Sequence, residues 1–417
     1  MIKAIKQAFY FPVAWYFKFW ANILLKSWKP IVVVITGSSG KTTLLHLIES
    51  QIGSKAKYSH YANSAFGIPF NILGLKRKKL TLDEWFFLFL LAPSQAFRPN
   101  PKEKLYIVEA DCDRPGEGKF LANLLKPEIT LWINSGTTHA LNFDHLVKNG
   151  KFANVEEAIA HEFGYFLEHT KKFAIVNGDN QLIQKEMKRT NAKIEQIRDR
   201  SLKKYEITNN STKFVIEDKT YSINFITPKD VFYSIKMAEI LTNKLNLPFD
   251  KTFRTLNLPA GRNSILNGIK NTTIIDSTYN ATPDGVKTIL EMFEKYPSRN
   301  KWLVLGDMTE LGAGEKEEHE KLAIIINSMN LSKIILIGPR VSKYTSPKLE
   351  RKENSFLKPK EGLDYILKNI KGEEVILFKG ARFLEGIIEQ LLQNKEDVDK
   401  LVRREKNWQK WRKAWGL

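Results

Sequence analysis

The 417 residues include 65 Lys and Arg against 46 Asp and Glu, a net charge of +19, with 43% hydrophobic residues and a single cysteine. Such a length exceeds what one core usually serves, and Cys112 standing alone excludes both a disulfide scaffold and a cysteine-built metal cluster; a reducing compartment suits it. The positive balance favours anionic partners, but with no RNP-like pair, zinc-finger spacing or basic heptad run, nucleic acid is not expected among them.

Residues 1–30 contain Lys3, Lys6, Lys18, Lys26 and Lys29, no acid, and an aromatic run from Phe9 to Leu25. Lys18 and Asn22 interrupt the ~20 apolar residues that a spanning helix requires, and no small-residue cleavage site of a secretory signal follows. The pattern predicts an amphipathic helix that either lies in the headgroup layer of an anionic membrane or packs on the protein's own body.

The apolar run Ile31 to Ile35 predicts a strand, and it opens onto the string TGSSGKTT, residues 36–43. Gly37 and Gly40 permit a turn whose backbone N–H groups, through Ser38 and Ser39, converge on phosphate. Lys41 adds a mobile positive charge, Thr42 or Thr43 can place a hydroxyl on Mg²⁺, and a helix starting near Lys41 aims its positive end at the anion. The string is GxxGKTT, shorter than the common GxxxxGK[ST]. An ordinary strand-to-helix turn needs neither the lysine nor both threonines, so a nucleoside triphosphate site is predicted.

Further along, Trp85 to Ala92 is a strongly apolar helical stretch that Pro93 should stop; it suits a core, membrane-facing or interfacial position. The strand KLYIVEA ends in Glu109, an acid placed either to hold Mg²⁺ or to pair with Lys41. A helix, a strand and a polar loop carrying His139 follow, then a helix over 155–168, a strand over 173–177, and a helix with a small antiparallel excursion at 203–225. His139 suits either a site or simple satisfaction within its loop. From residue 271 the runs NTTIIDS, KWLVLGD, KIILIGP and EVILFKG alternate with helical stretches at 283–295, 315–329, 361–370 and 383–393. They predict a second doubly wound sheet, with Asp276, Asp307 and Lys379 at strand ends where ligands bind in open α/β sheets. At the end of the chain Trp408, Trp411 and Trp415 share one helical face among Arg403, Arg404, Lys406, Lys410, Arg412 and Lys413. That helix is expected to be either a second interfacial helix or one docked against the N-terminal helix.

The predicted fold is α/β: a P-loop central domain with a mainly parallel sheet (31–258), then a Rossmann-like α/β domain (259–395), flanked by amphipathic helical ends (1–30 and 396–417).

Several motifs occur in order: ITGSSGKTT, ANSAFGIPFNILG (62–74), VEADCDRPGEG (108–118), INSGTTHALNF (133–143), PAGR (259–262), DSTYNATPDG (276–285), VLGDMTELG (304–312) and FKGAR (378–382). Together they resemble the Mur ligase family, in particular its branch that adds D-alanyl-D-alanine to the peptidoglycan stem peptide. The resemblance implies ATP- and Mg²⁺-dependent amide formation through an acyl phosphate in a cytoplasmic enzyme. It implies Lys41 and the loop amides on phosphate, Thr42, Glu109 and His139 around Mg²⁺, and Arg262 and Asp276 on ATP. It also implies Asn280, Asp307, Lys379 and Arg382 on the incoming amine or its carboxylate. The alternatives are a non-catalytic ATP-binding scaffold at the membrane and a ligase for an amino acid on a non-peptidoglycan acceptor.

Two departures stand out. The family carries a domain before the nucleotide loop that grips the UDP part of its substrate, whereas 35 residues precede Thr36 here. Either a partner protein supplies that grip, or the acceptor is a lipid-linked precursor or related envelope polymer met at the inner face of the plasma membrane. Second, the position of the family's carbamylated lysine is taken by Phe163, with Glu162 or His161 the candidates to compensate.

Overall fold

The computed structural model describes residues 9–77, 81–380 and 383–417. They form two compact units. The first runs to Gly136 and adds Asn142–Ser201 and Tyr233–Asp250; the second comprises Thr137–Leu141, Leu202–Phe232 and Lys251–Leu417.

The first unit is built on six parallel strands: β1 (Ile31–Thr36), β2 (Ala56–Tyr58), β3 (Leu105–Glu109), β4 (Ile129–Trp132), β5 (Phe173–Asn177) and β6 (Lys193–Ile197), in the order β2-β3-β1-β4-β5-β6. β1 and β3 are buried almost throughout, as the unbroken Val/Ile runs of a parallel sheet covered on both faces require. Because β1 lies between β3 and β4, with Ile35 opposite Glu109 and Thr36 opposite Trp132, the chain leaves β1 at a topological switch point beside Glu109. The polar strand β6, largely half-exposed at the sheet edge, is not evident in the hydrophobic pattern.

The helix Tyr10–Trp28 packs on its own unit. Ala14, Phe17, Ala21 and Leu24 are fully buried, and the Phe17 ring lies 4.7 Å from Phe70 and 5.0 Å from Phe89. Lys18 does not face solvent. Its ammonium donates to the Phe120 carbonyl at 2.8 Å and sits over the Trp15 and Phe120 rings, and burial, helped by Lys126, lowers its pKa to about 8. Lys3 and Lys6 lie outside the described residues.

Pro93 does not stop its helix, which runs Leu82–Ala96 with the proline inside. A proline in mid-helix orphans the carbonyl four residues earlier. That carbonyl belongs to Phe89, and the Tyr16 hydroxyl donates to it at 2.8 Å, so a side chain from a neighbouring helix repairs the defect. Among the described residues no helix is long and apolar enough to cross a membrane.

The second unit begins with an antiparallel ribbon of β7 (Leu202–Ile207), β8 (Thr212–Ile216) and β9 (Lys219–Ile223). Its main sheet holds β10 (Ser264–Gly268), β11 (Thr272–Ser277), β12 (Lys301–Gly306), β13 (Lys333–Ile337), β14 (Asn354–Phe356) and β15 (Val375–Lys379), in the order β10-β11-β15-β12-β13-β14. All pairs are parallel except β10 with β11.

The C-terminal helix Lys406–Ala414 docks on the helix Leu384–Leu391 of its own unit. Arg412 is buried, 3.8 Å from the fully buried Glu385, and Arg404 meets Glu389 at 2.6 Å. The tryptophans at 411 and 415 stay exposed.

Candidate active site

In the first unit the chain turns sharply as it leaves β1. Gly37 has φ +134°, and a Cβ there would stand 2.6 Å from the Asn134 carbonyl oxygen, so only glycine fits. Asn134 clamps the turn from the far side: its side-chain oxygen accepts from Ser39 N–H at 2.9 Å and its carbonyl from Ser38 N–H at 3.3 Å. The Ser38 hydroxyl donates to the Gly136 carbonyl at 2.8 Å. The helix Lys41–Ile52 then starts from Gly40, and among the described residues no side chain caps it, which leaves its first N–H groups for a ligand.

Lys41 is buried, with its Nζ 2.8 Å from Asp111 and also donating to the Gly37 carbonyl. Burial pulls its pKa down, but the attraction of Asp111 and Glu109 outweighs that, and the net direction is up: the ammonium stays charged. The Thr42 hydroxyl donates to Glu109 Oε1 at 2.9 Å, and Thr43 beside it is half-buried. Thr42 and Glu109 thus offer adjacent oxygen donors of the kind Mg²⁺ prefers, and the glycine turn with its buried lysine is a cradle that fits a polyphosphate.

Phe163 is fully buried against Trp132, and the Lys41 ammonium lies 6.0 Å from its ring centroid. Glu162 caps the helix Glu117–Leu125 instead, accepting from Gly116 and Gly118 N–H at 2.8 and 2.9 Å. His161 is engaged by Arg189, whose guanidinium reaches its Nδ1 at 3.3 Å. Each of the two candidates to replace the lysine thus already has a structural partner.

The second unit gathers another set. Asp276 Oδ1 accepts from Thr278 N–H at 3.0 Å and its hydroxyl at 2.7 Å, while Oδ2 is buried without a hydrogen-bond partner among the described residues. Burial raises the Asp276 pKa to about 6 despite those bonds. Lys379, from the end of the neighbouring strand β15, is buried and donates to the Asn280 carbonyl at 2.7 Å. Its pKa falls to about 7 through burial and repulsion from Arg262, with Asp276 opposing. The Arg262 guanidinium lies 4.2 Å from the Tyr279 ring centroid. Asp307 is held by backbone N–H groups of Arg340 and Val341 at 3.0 and 2.9 Å. Arg382 lies outside the described residues.

His139, in a left-handed backbone conformation, meets Glu310 at 2.8 Å through its Nδ1. Both line a cavity of about 260 Å³ in the second unit, together with Asn280, Thr282, Arg403 and Trp408. Arg403 donates to the carbonyls of Thr278 and Tyr279 at 3.1 and 2.8 Å, so the tail beyond the main sheet reaches this cavity.

Asp111, Asn134 and Glu310 are not singled out by sequence reasoning, and Arg403 is read there only as part of the basic tail. Asp111 stands two residues after Glu109 at the same strand exit, a spacing legible in the sequence. The other three depend on loop and tail paths that no local pattern reveals.

A parallel sheet with a glycine-rich turn and a buried lysine at its switch point, followed by a second doubly wound sheet with convergent polar residues, defines a nucleotide-binding α/β enzyme of two units. Comparison narrows the class: residues 35–240 match the Mur ligase middle domain, and residues 261–382 match the Mur ligase, glutamate ligase domain. The chain belongs to the Mur ligase family. It is 25% identical over 394 residues to a UDP-N-acetylmuramoyl-tripeptide–D-alanyl-D-alanine ligase of Buchnera aphidicola, covering 89% of this chain and 79% of that one. The enzyme of the same name from Bacillus subtilis is 23% identical over 387 residues, covering 87% and 76%. Among solved structures, MurF from Acinetobacter baumannii superposes with a TM-score of 0.72 at 19% identity, covering 90% of this chain and 79% of that one. MurF from Thermotoga maritima, in complex with ADP, gives 0.70 at 22%, covering 91% and 83%. These two structures establish a shared fold.

Proposed function

We propose that the protein is an ATP-dependent ligase of cell-wall precursor synthesis that joins an amine, D-alanyl-D-alanine or a related molecule, to the carboxylate of a peptide. On this reading it works in the cytoplasm, on a peptide-bearing peptidoglycan precursor. The observation that carries the reading is the buried Lys41–Asp111 pair in the glycine turn, with Thr42 and Glu109 beside it.

The chemistry balances without a redox partner. A carboxylate oxygen of the acceptor attacks the γ-phosphorus of ATP, the bond to the β-phosphate oxygen breaks, and ADP leaves. The amine nitrogen then attacks the acyl carbon to form the C–N bond, the acyl C–O bond breaks with its electron pair on the departing inorganic phosphate, and the proton lost by the amine passes to that phosphate or to water. Ser38 and Ser39 spend their N–H groups on Asn134, so charge stabilisation on the transferring group is assigned to Lys41 and the uncapped N–H groups that open the helix Lys41–Ile52, and because the turn is fixed by Asn134 they need no reorganisation. Mg²⁺, when bound by Thr42 and Glu109, supplies charge neutralisation on phosphate oxygens. In the second unit, Arg262 and Asp276 are assigned to the nucleotide; Asn280, Asp307, Lys379 and Arg382 to the incoming amine or its carboxylate. His139 is retained as a candidate metal-holding group.

The test is mass-spectrometric detection of amide product with D-alanyl-D-alanine, Mg²⁺-ATP and two acceptors, a UDP-linked stem peptide and its lipid-linked counterpart. Product from either acceptor supports the reading and names the carrier. ATP binding with no product, from these or from single amino acids, favours the scaffold reading. Glu109→Ala should raise the Mg²⁺ concentration needed for half-maximal turnover by about tenfold or more; an unchanged titration removes Glu109 from the metal site.

A further inference from the structure

We propose that the first unit docks on an anionic lipid surface through the face formed by its helices Tyr10–Trp28 and Leu82–Ala96. The helix Leu82–Ala96 is apolar on both sides: Leu88 and Ala92 are buried, while Phe86, Phe87, Leu90 and Leu91 recur at the i, i+1, i+4, i+5 spacing of one face and point outward. On the neighbouring helix Trp15 and Phe19, four residues apart, do the same, and Phe97 continues the surface through Trp20. All seven side chains are between 46% and 73% exposed. Isolated exposed apolar residues are ordinary, whereas six on two packed helices, with Phe97 just beyond the second, form a patch that a protein held only in water rarely carries.

Charge selects the occupant. Among the described residues flanking the apolar helix, Lys76, Arg77, Lys102 and Lys104 are exposed, against the acids Asp83, Glu84 and Glu103. Lys76 and Arg77 stand just before that helix. A second copy of the chain would bring the same basic rim and the same +19 against itself. An anionic bilayer offers apolar depth for the aromatic rings and negative headgroups for the basic rim. Since no described helix can span, the contact is one that lies in the interface.

The experiment is co-sedimentation of the full-length chain with vesicles of phosphatidylcholine alone and of phosphatidylcholine with phosphatidylglycerol; its readout needs no ATP and no acceptor. The proposal expects binding to the anionic vesicles that weakens with salt, and little to the neutral ones. The triple variant Phe86→Ser, Phe87→Ser, Leu90→Ser should bind at least about tenfold less while keeping its thermal transition. Trp411→Ser with Trp415→Ser should bind as the parent does. Four results would overturn the proposal: no binding by the parent, unchanged binding by the triple variant, loss only in the tail variant, or a lipid-independent dimer that the triple variant abolishes.

Discussion

The two ends of the chain are alike in composition and opposite in packing. Both are helices of aromatic and basic residues. In the helix Tyr10–Trp28 the interior is aromatic and aliphatic, and the one buried lysine is satisfied by a carbonyl and two rings. In the helix Lys406–Ala414 the interior is an arginine, held by Glu385 and by the Arg403 carbonyl at 2.7 Å, and Trp411 remains outside. The difference teaches that a hydrophobic face read from spacing names a direction, not a destination: what the neighbouring element offers, an apolar groove or a buried carboxylate, decides which side turns inward.

Substitutions can break that contrast. Phe17→Ala, by opening a cavity among Phe70, Trp85 and Phe89, should cost about 3–5 kcal/mol in urea denaturation. A value near zero would mean the N-terminal helix is dispensable to the core. Arg412→Ala should cost less, about 1–3 kcal/mol, because Arg403 still faces Glu385 at 3.5 Å. Its pH dependence is more telling. Burial raises the Glu385 pKa while Arg403 and Arg412 lower it, so removing Arg412 lifts it further. A carboxyl with a raised folded-state pKa favours the fold when protonated and loses that contribution as pH rises through the folded value. The Arg412→Ala defect should therefore shrink at mildly acidic pH and grow at neutral pH; a flat difference would mean Glu385 does not sense Arg412. Trp411→Ala should change stability by no more than about 0.5 kcal/mol, and a larger loss would reverse the assignment of inside and outside.

Much of the fold could be read from the chain because parallel strands buried on both faces leave unbroken apolar runs. β1, β3, β5, β11, β12, β13 and β15 all sit where such runs predict. The misses follow from the same physics. β6 and β14 are edge strands with mixed side chains, and β10 is antiparallel and half-exposed, so none carries the run. Pro93 misleads because the repair by Tyr16 comes from a residue 73 positions away from the carbonyl it satisfies. At the site, the glycine turn, Lys41, Thr42 and Glu109 are contiguous with strand ends and legible. Asn134 and Glu310 act through the tertiary paths of loops, and Arg403 through the tail, which local spacing does not encode.

The most direct test of the ligase account is phosphate release from Mg²⁺-ATP, with D-alanyl-D-alanine and a stem-peptide acceptor added singly and together, in the parent and in Lys41→Ala. The account predicts release only when both co-substrates are present. It also predicts a fall of about 10³-fold in Lys41→Ala with the thermal transition retained. Release that ignores the co-substrates, or undiminished turnover in Lys41→Ala, would contradict it.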